Sequence, residues 1–326
     1  MLQFSIIVPV YNRPLEMEEF LESLVLQTDK AFEVVVMEGR CEYSCKSVCD
    51  KYSDRLDIKF YENNSGRSER RNLGMQLASG NYFLLFDSDC ILPKDYISIV
   101  RKALTDDYLD CFGGPDNADD SFTDLQLAIN YSMTSIMTTG GIRGGMKALD
   151  KFLPRSFNMG MSREVLEKTG GYLDMIGEDT DLSMRIKEAG FKTRLIKDAF
   201  VYHKRRINLK GFYRQTNTFG KARVLLSLRH HGSLKIMHLF PSCFAVGNIV
   251  LFVLAVVTCS FWWLFPIVLY VLMIFLESLI KNKSIKVALL SICTSYAQLC
   301  GYGFGYIEEF ITRKASKKSA EMLYRQ

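Results

Sequence analysis

The chain has 326 residues, of which 48% are hydrophobic, and a formal net charge of +5 at pH 7. A chain of this length can bury a core in one large domain or in two smaller ones. The charge is weak, and the first half has no basic run interleaved with aromatic residues, which argues against nucleic acid as a partner.

The first half of the chain alternates short apolar runs with helical patterns, and its start lacks the features of a signal peptide. Buried strands are predicted at residues 4–10, 32–37, 57–62 and 82–86, with helices between them at 16–27, 46–52 and 67–78. This alternation predicts an α/β fold with a mostly parallel, doubly wound sheet. Ligands of such sheets bind outside the carboxyl ends of the strands. Asn12, Glu38 and the Asp87-Ser88-Asp89 segment all follow such ends.

Three of the nine cysteines, Cys41, Cys45 and Cys49, are spaced four residues apart. On a helix this spacing places them along one face, but it matches no zinc-binding pattern. We therefore interpret them as small packed hydrophobes. Reduced thiols of this kind fit a cytoplasm-facing protein.

The middle of the chain is rich in glycine and small polar residues at positions 111–145, around a helical stretch at 123–137. This composition predicts a mobile segment that covers the substrate rather than core structure. Beyond it we predict a strand at 157–162, a helix capped by Ser162, a helix at 181–189 and a strand at 193–202 that ends at His203.

Two apolar stretches, 240–258 and 262–280, are each long enough to cross a hydrocarbon core of ~30 Å. Trp262 and Trp263 lie at the turn between them, where interfacial aromatic residues belong. Lysine and arginine residues flank both ends of this hairpin, so we expect both ends in the cytoplasm. A third stretch, 287–307, is less apolar and fits either a third span or a re-entrant or interfacial helix.

The Asp87-Ser88-Asp89 motif follows a buried strand, and its two carboxylates can hold a hard divalent cation. Mg²⁺ or Mn²⁺ bound there would neutralise the diphosphate of a nucleotide-sugar. His203 is a candidate third ligand. A second acidic pair, Glu178-Asp179, lies at a loop–helix junction, where a carboxylate can act as a general base or simply favour the helix N-terminus.

These motifs occur together in a recognisable order. The opening residues 5–12 (SIIVPVYN), the Gly66-Arg67-Ser68 and Arg71-Asn72-Leu73-Gly74 segment, the Asp-Ser-Asp motif and the Glu178-Asp179 pair resemble the motifs of family 2 glycosyltransferases. The resemblance covers about the first 225 residues. It implies a GT-A fold, which is a Rossmann-like, mostly parallel sheet flanked by helices, here followed by transmembrane helices.

The resemblance also implies roles for individual residues. The nucleotide would be bound by Pro9, Tyr11, Asn12, Glu38, Arg71 and Asp87. Asp89 and His203 would hold the metal. Asp179, beside Glu178, would be the general base of a single in-line displacement that inverts the anomeric carbon. The enzyme would be of the hexosyltransferase type.

Two departures from the family pattern refine this prediction. Met37-Glu38-Gly39 carries one carboxylate where the family usually has an acidic pair, which weakens the assignment of the nucleobase. A UDP-sugar is the favoured donor and a GDP-sugar is the alternative. Residues 214–223 lack the tryptophan of the Gln-x-x-Arg-Trp motif found in processive polysaccharide synthases. We therefore expect transfer of a single sugar rather than extrusion of a chain.

The predicted organisation is a catalytic domain at 1–225, an interfacial connector at 226–239, a membrane domain of two or three helices at 240–312 and a basic tail at 313–326. We expect a multi-pass protein of the inner membrane whose catalytic domain faces the cytoplasm. Arg214 and Arg223 lie in a basic, partly apolar segment and are candidates for binding the phosphate of a lipid-linked glycan acceptor. The alternatives are a polyprenyl-phosphate glycosyltransferase and a non-catalytic, membrane-tethered sugar-nucleotide binder.

Overall fold

The computed structural model describes residues 2–117, 122–139, 152–203 and 208–323. The chain forms two compact units, one of Met1–Asp119 with Lys147–Lys204 and the other of Asp120–Met146 with Arg205–Gln326. The strands are β1 Phe4–Val10, β2 Phe32–Glu38, β3 Ile58–Glu62, β4 Tyr82–Phe86, β5 Cys90–Ile91, β6 Cys111–Gly113, β7 Asp116–Asn117, β8 Asn158–Ser162, β9 Thr193–Leu195 and β10 Val201–His203. The helices are α1 Pro14–Val25, α2 Lys46–Tyr52, α3 Arg67–Leu77, α4 Tyr96–Asp106, α5 Asp124–Thr134, α6 Ile136–Thr139, α7 Arg163–Thr169, α8 Glu178–Glu188, α9 Leu209–Arg229, α10 Phe240–Val257, α11 Phe265–Asn282 and α12 Ile285–Leu323.

The first unit contains a seven-stranded sheet in the order β3-β2-β1-β4-β8-β6-β9. Strands β1 to β4 pair in parallel, whereas β8 runs antiparallel to both β4 and β6. The sheet is therefore mostly parallel, as the alternating apolar runs predict. A separate sheet of three short strands has the order β5-β10-β7.

A hydrophobic core lies against each face of the large sheet. The central strands contribute apolar side chains to both cores. Ile6 and Val8 point into one hydrophobic core, and Ile7 points into the other. Helix α3 crosses close to the second face at Gly74, where an added Cβ would lie 2.8 Å from Ile7 Cγ2 and 2.9 Å from Met37 Cγ. This close approach fixes α3, which carries three arginines, at the edge where the strands end.

Two predictions about the middle of the chain are wrong. The segment 111–145 was predicted to be mobile and to cover the substrate, but it begins with a fully buried strand, β6. Cys111 and Phe112 of this strand pack in the sheet. The strand predicted at 193–202 is two strands, β9 and β10, which belong to different sheets. The Gly140-Gly141 and Gly144-Gly145 pairs lie outside the described residues.

The second unit is built around α12, which packs against α5, α9, α10 and α11. Helix α9, which lies mostly before the predicted boundary at residue 225, runs along α12 in this unit. The two helices approach closely at Gly220, where an added Cβ would lie 2.1 Å from the Tyr302 carbonyl oxygen. Small residues allow this contact between backbones, as is usual for helices packed in membranes.

Within the described residues, three helical stretches are long and apolar enough to cross a membrane: Phe240–Val257, Phe261–Asn282 and Ile285–Lys314. The first two match the predicted hairpin. The third includes the stretch at 287–307 that the sequence alone left undecided, and it is part of a continuous helix of 39 residues. Its length and composition favour the interpretation as a third span over a re-entrant segment.

Candidate functional site

The Asp-Ser-Asp motif lies where β4 ends and β5 begins. Strand β5 pairs antiparallel with β10, and Cys90 is directly opposite His203. This pairing brings the end of β10 to the motif, although the two segments are more than one hundred residues apart. His203 Nε2 consequently lies 3.2 Å from Asp89 Oδ1.

The two acidic motifs meet at one guanidinium group. Arg71 of α3 is completely buried, and its Nη2 atom donates to Asp87 Oδ1 at 2.5 Å. Its Nη1 atom lies 3.3 Å from Glu178 Oε1, which also accepts a hydrogen bond from Arg67 at 2.7 Å. The Tyr172 ring covers the Arg71 guanidinium at 5.3 Å. The Asp-Ser-Asp and Glu-Asp motifs therefore belong to one site.

The burial of Arg71 bears on its predicted nucleotide contact. Its side chain is 0% exposed, so its charge is directed to Asp87 and Glu178 rather than to solvent. A buried cation of this kind holds carboxylates in place, because removing it would take away the cation that Asp87 and Glu178 share. In this structure Arg71 therefore holds the carboxylates of Asp87 and Glu178 in place from the interior of the protein.

Asp179, the predicted general base, lies beside Arg155. Arg155 Nη1 is 3.3 Å from Asp179 Oδ2 and donates to the Thr180 hydroxyl at 2.8 Å. Burial alone would raise the pKa of Asp179, but the Arg155 guanidinium and the Thr180 backbone N–H hold this pKa below its usual value. Asp179 is therefore ionised at neutral pH, as a base must be, and one-fifth of its side chain is exposed.

Asp89, the predicted metal ligand, lies between two basic side chains, one near each carboxylate oxygen. Arg13 Nη1 donates to Oδ2 at 2.6 Å, and His203 faces Oδ1. Burial opposes the ionisation of Asp89, but the neighbouring His203 and Arg13 hold its pKa well below the usual range. The Oδ1 atom is buried and accepts no well-formed hydrogen bond. A buried carboxylate oxygen of this kind fits a bound cation.

The end of the site near β1 and β2 contains the residues predicted to bind the nucleotide. Pro9 is buried in β1, and Tyr11 is 54% exposed. Asn12 has a φ of 53°, a left-handed conformation that asparagine tolerates, and its Oδ1 accepts from the backbone N–H groups of Glu42 and Tyr43.

Glu38 is buried, and its carboxylate is already bound within its own loop. It accepts hydrogen bonds from the Ser44 hydroxyl at 2.5 Å and from the Cys45 backbone N–H at 2.6 Å. Both contacts are to the start of α2, so Glu38 anchors that helix. Its role towards a nucleobase stays a prediction.

Arg214 and Arg223, the predicted phosphate-binding residues, lie on α9 in the second unit. Arg214 is exposed, and Arg223 lies beside Tyr302 of α12. Their contact with an acceptor stays a prediction.

Sequence reasoning missed three residues that the structure brings to the site. Arg13 directly follows Asn12 in the opening motif, so its position at a strand end was a usable signal. Cys90 directly follows Asp89, but a free cysteine usually packs as a small hydrophobe. In the structure Cys90 is completely buried. Arg155 has no local signal, because its partner Asp179 is 24 residues away on α8.

Residues 5–170 match the model of glycosyl transferase family 2, which is just over half of the chain. The chain belongs to this family. The match includes the opening motif, the arginines of α3 and the Asp-Ser-Asp motif, which confirms the resemblance drawn from those residues. An uncharacterized glycosyltransferase of Haemophilus influenzae is 40% identical over 98 residues, which are 30% of this chain and 33% of that protein. The first curated relatives are matched over only 15% to 34% of their own lengths.

Solved structures share the fold. Mannosyltransferase PcManGT from Pyrobaculum calidifontis, in complex with GDP-Man and Mn²⁺, superposes with a TM-score of 0.65 at 16% identity and covers 90% of this chain and 87% of that chain. S. aureus TarS 1-349 in complex with UDP-GlcNAc has a TM-score of 0.50 at 18% identity and covers 96% and 92% of the two chains. At these identities the likeness shows the fold alone, and it confirms the predicted GT-A architecture.

Proposed function

We propose that the chain is an inverting glycosyltransferase that moves a single sugar from a nucleotide-diphosphate donor to a hydroxyl group of a membrane-associated, lipid-linked glycan. The observation that supports this most directly is the convergence of Asp87 and Glu178 on Arg71. Sugar transfer needs a site that neutralises a leaving diphosphate next to a site that deprotonates the acceptor. The two acidic motifs supply one each, and Arg71 holds them together.

On the donor side, Asp89 and His203 would hold Mg²⁺ or Mn²⁺. A divalent cation bound there would stabilise the negative charge that develops on the departing diphosphate. The residues fit such an ion, since Asp89 Oδ1 is buried without a well-formed hydrogen bond and faces His203. Asp87 lies nearer the opening, with 27% of its side chain exposed, and would contact the nucleotide.

The nucleotide-sugar itself belongs to this proposal. PcManGT is described in complex with GDP-Man and Mn²⁺, and TarS with UDP-GlcNAc. Both donor classes therefore occur on this fold, which supports a UDP-sugar or a GDP-sugar for this chain. Tyr11 is the exposed aromatic residue at the end of β1 and could stack on the base.

On the acceptor side, Asp179 would accept the proton of the attacking hydroxyl. Its lowered pKa keeps it ionised at neutral pH. Arg155 would orient the carboxylate through its contacts with Asp179 and Thr180. The hydroxyl oxygen then attacks the anomeric carbon from the side opposite the diphosphate, which inverts its configuration.

One observation favours a second candidate, a polyprenyl-phosphate glycosyltransferase. A carboxylate whose pKa is lowered by an arginine is a weak base. A phosphate acceptor is already ionised and needs little base catalysis, so it would tolerate such a carboxylate. The same arginine would then help to bind the acceptor phosphate.

The three apolar helices support membrane association of the enzyme. We propose that the catalytic unit faces the cytoplasm from the inner membrane, since basic residues flank the first two spans. Arg214 and Arg223 would then lie on the side of the membrane where a lipid-linked acceptor presents its phosphate.

The test is release of nucleoside diphosphate by the purified full-length chain with Mn²⁺, across a panel of UDP- and GDP-sugars, and in an Asp179→Asn variant. We expect turnover with at least one donor and loss of activity in the variant. An Asp54→Asn variant, which changes an exposed carboxylate elsewhere in the same unit, is the control. Full activity of Asp179→Asn towards a polyprenyl phosphate would support the second candidate. Donor binding without turnover would indicate a binding protein instead.

A further inference from the structure

A buried arginine lies at the end of the site where the nucleotide is proposed to bind, and neither acidic motif uses it. Arg70 of α3 is 8% exposed, and its Nη1 atom donates to the carbonyl oxygen of Val10, the last residue of β1, at 2.7 Å. Its Nε atom is buried and has no hydrogen-bond partner among the described residues. Since a guanidinium group has five N–H donors, the described part of the protein leaves most of the hydrogen-bonding capacity of Arg70 unmet.

The charge of Arg70 also lacks a counter-ion of its own. Its neighbours Arg67 and Arg71 are each paired with a carboxylate, whereas no described carboxylate forms an ion pair with Arg70. Burial and the adjacent charges of Arg67 and Arg71 lower the pKa of Arg70, but an arginine side chain stays protonated in proteins. A buried donor without an acceptor costs free energy, and a charged donor costs more. This combination indicates that a ligand with acceptor atoms completes the bonding of Arg70.

The glycine that follows β2 leaves room for this guanidinium group. An added Cβ at Gly39 would lie 2.5 Å from Arg70 Nη1 and 3.3 Å from Tyr11 Cδ2. The backbone of Gly39 is not left-handed, so the close approach of Arg70, and not a turn, requires a glycine here. Arg70, Gly39 and the exposed ring of Tyr11 therefore meet at the end of the site formed by β1 and β2.

We propose that Arg70 recognises the nucleobase of the donor by donating to the carbonyl oxygen at O4 of uracil or O6 of guanine, and thereby selects these bases over cytosine and adenine. This inference rests on the nucleotide site of the proposed function and specifies its selectivity. Cytosine and adenine carry amino groups at the corresponding positions, and these are donors that a guanidinium group cannot bind. The carboxylate of Glu38 is already bound to Ser44 and Cys45, so the selectivity comes from Arg70.

The position of Arg70 suits the base rather than the diphosphate. The next residue, Arg71, donates to Asp87 of the Asp-Ser-Asp motif, whereas Arg70 contacts the ends of β1 and β2, where the Tyr11 ring lies. A nucleobase has a flat face that stacks on an aromatic ring and an edge of hydrogen-bonding atoms. Tyr11 and Arg70 match these two features.

The experiment measures the Kd of UDP, GDP, CDP and ADP for the detergent-solubilised full chain with Mn²⁺ by isothermal titration calorimetry. We expect the wild-type chain to bind UDP or GDP at least roughly tenfold more tightly than CDP and ADP. Arg70→Met keeps a long side chain without N–H donors. It should raise the Kd of the preferred nucleotide roughly tenfold and leave the Kd values of CDP and ADP nearly unchanged. Arg55→Met, which changes an exposed arginine of the same unit, should keep the wild-type preference.

A second measurement does not depend on a variant that folds. The analogues 4-thio-UDP and 6-thio-GDP keep the ring N–H and replace the carbonyl oxygen with sulfur, a weaker acceptor, so the wild-type chain should bind the analogue of its preferred nucleotide roughly fivefold more weakly or worse. Equal binding of oxygen and sulfur forms, or an equal loss of all four nucleotides in Arg70→Met, would overturn the role of Arg70 and leave the proposed function standing. Failure to bind any nucleoside diphosphate would overturn both.

Discussion

Arg13 Nη1 lies 2.6 Å from Asp89 Oδ2, so the carboxylate proposed to bind a cation already carries a guanidinium group. The two residues are 76 positions apart, and each follows a neighbouring parallel strand of the sheet. A metal ion and Arg13 would therefore compete for the negative charge of the same carboxylate. Arg13 has 36% of its side chain exposed, which leaves it free to turn towards the diphosphate when the carboxylate binds an ion.

Removal of this competitor should tighten metal binding. We expect Arg13→Gln to lower the Kd for Mn²⁺ two- to fivefold, because an ion pair that is partly exposed contributes about 0.5–1 kcal/mol. Isothermal titration calorimetry in the absence of donor measures this directly. Arg194→Gln, which changes an exposed arginine paired with Asp107, is the control. A weaker or unchanged affinity in Arg13→Gln would contradict the competition.

Loss of the buried guanidinium should destabilise the catalytic unit. Arg71→Met leaves the carboxylates of Asp87 and Glu178 without their shared cation, and breaking a buried pair in this way costs about 3–5 kcal/mol. The measurement is the midpoint of urea unfolding. Arg67→Gln removes an exposed arginine from the same Glu178 and should cost less than about 1 kcal/mol. Equal effects of the two variants would show that burial is not the deciding factor.

The pH dependence of activity should report the contact between Arg155 and Asp179. Arg155 holds the pKa of Asp179 below its usual value, so Arg155→Gln should raise that pKa. Because the base must be ionised, the acidic limb of the kcat/KM profile should move to higher pH, while the plateau at high pH is retained in part. An acidic limb at the wild-type position would exclude Asp179 as the titrating base.

Glu33 should contribute to the loss of stability of the first unit as the pH becomes acidic. Burial alone would raise the pKa of Glu33, but hydrogen bonds from Lys59, Ser5 and Ser79 lower it to about 2. A carboxyl group with a lowered pKa stabilises the fold above its unfolded value of 4.5, and this contribution is lost as pH falls towards 2.

Glu33→Gln should therefore lower the free energy of unfolding by about 2–3 kcal/mol at pH 7. The difference from the wild-type chain should shrink steadily below pH 4.5. Urea unfolding of both chains at pH 7, 5 and 3.5 would measure the trend. A difference that does not vary with pH would show that the residue acts through packing rather than through its charge.

Packing between α9 and α12 should tolerate no side chain at Gly220. An added Cβ there would lie 2.1 Å from the Tyr302 carbonyl oxygen and 2.7 Å from the Tyr306 nitrogen, both of which are backbone atoms. Gly220→Val should reduce the thermal stability of the second unit in detergent by at least about 2 kcal/mol. Gly247→Val, on α10 with nothing within 4 Å of an added Cβ, is the matched control. Comparable melting of the two variants would contradict the close approach.

The local pattern of apolar and turn residues was sufficient to predict most of the strands and helices. The buried strands β1, β2 and β4 and the helices α2 and α3 appear within a residue or two of their predicted bounds, because apolar periodicity and turn residues act over a few positions. The same pattern failed for β6 and for the division between β9 and β10. Strands of three residues carry too little periodicity to be recognised without their pairing partners.

The sequence by itself determined the family and the mostly parallel sheet and located the acidic motifs, because these depend on residue types at short spacing. The tertiary structure decided which charge each carboxylate faces: Arg13 for Asp89, Arg71 for Asp87 and Arg155 for Asp179. It also placed Cys90 beside His203 and gave Glu38 its partners at the start of α2. These contacts join strand ends that are distant along the chain. Their distances depend on strand order and register, which no local pattern contains.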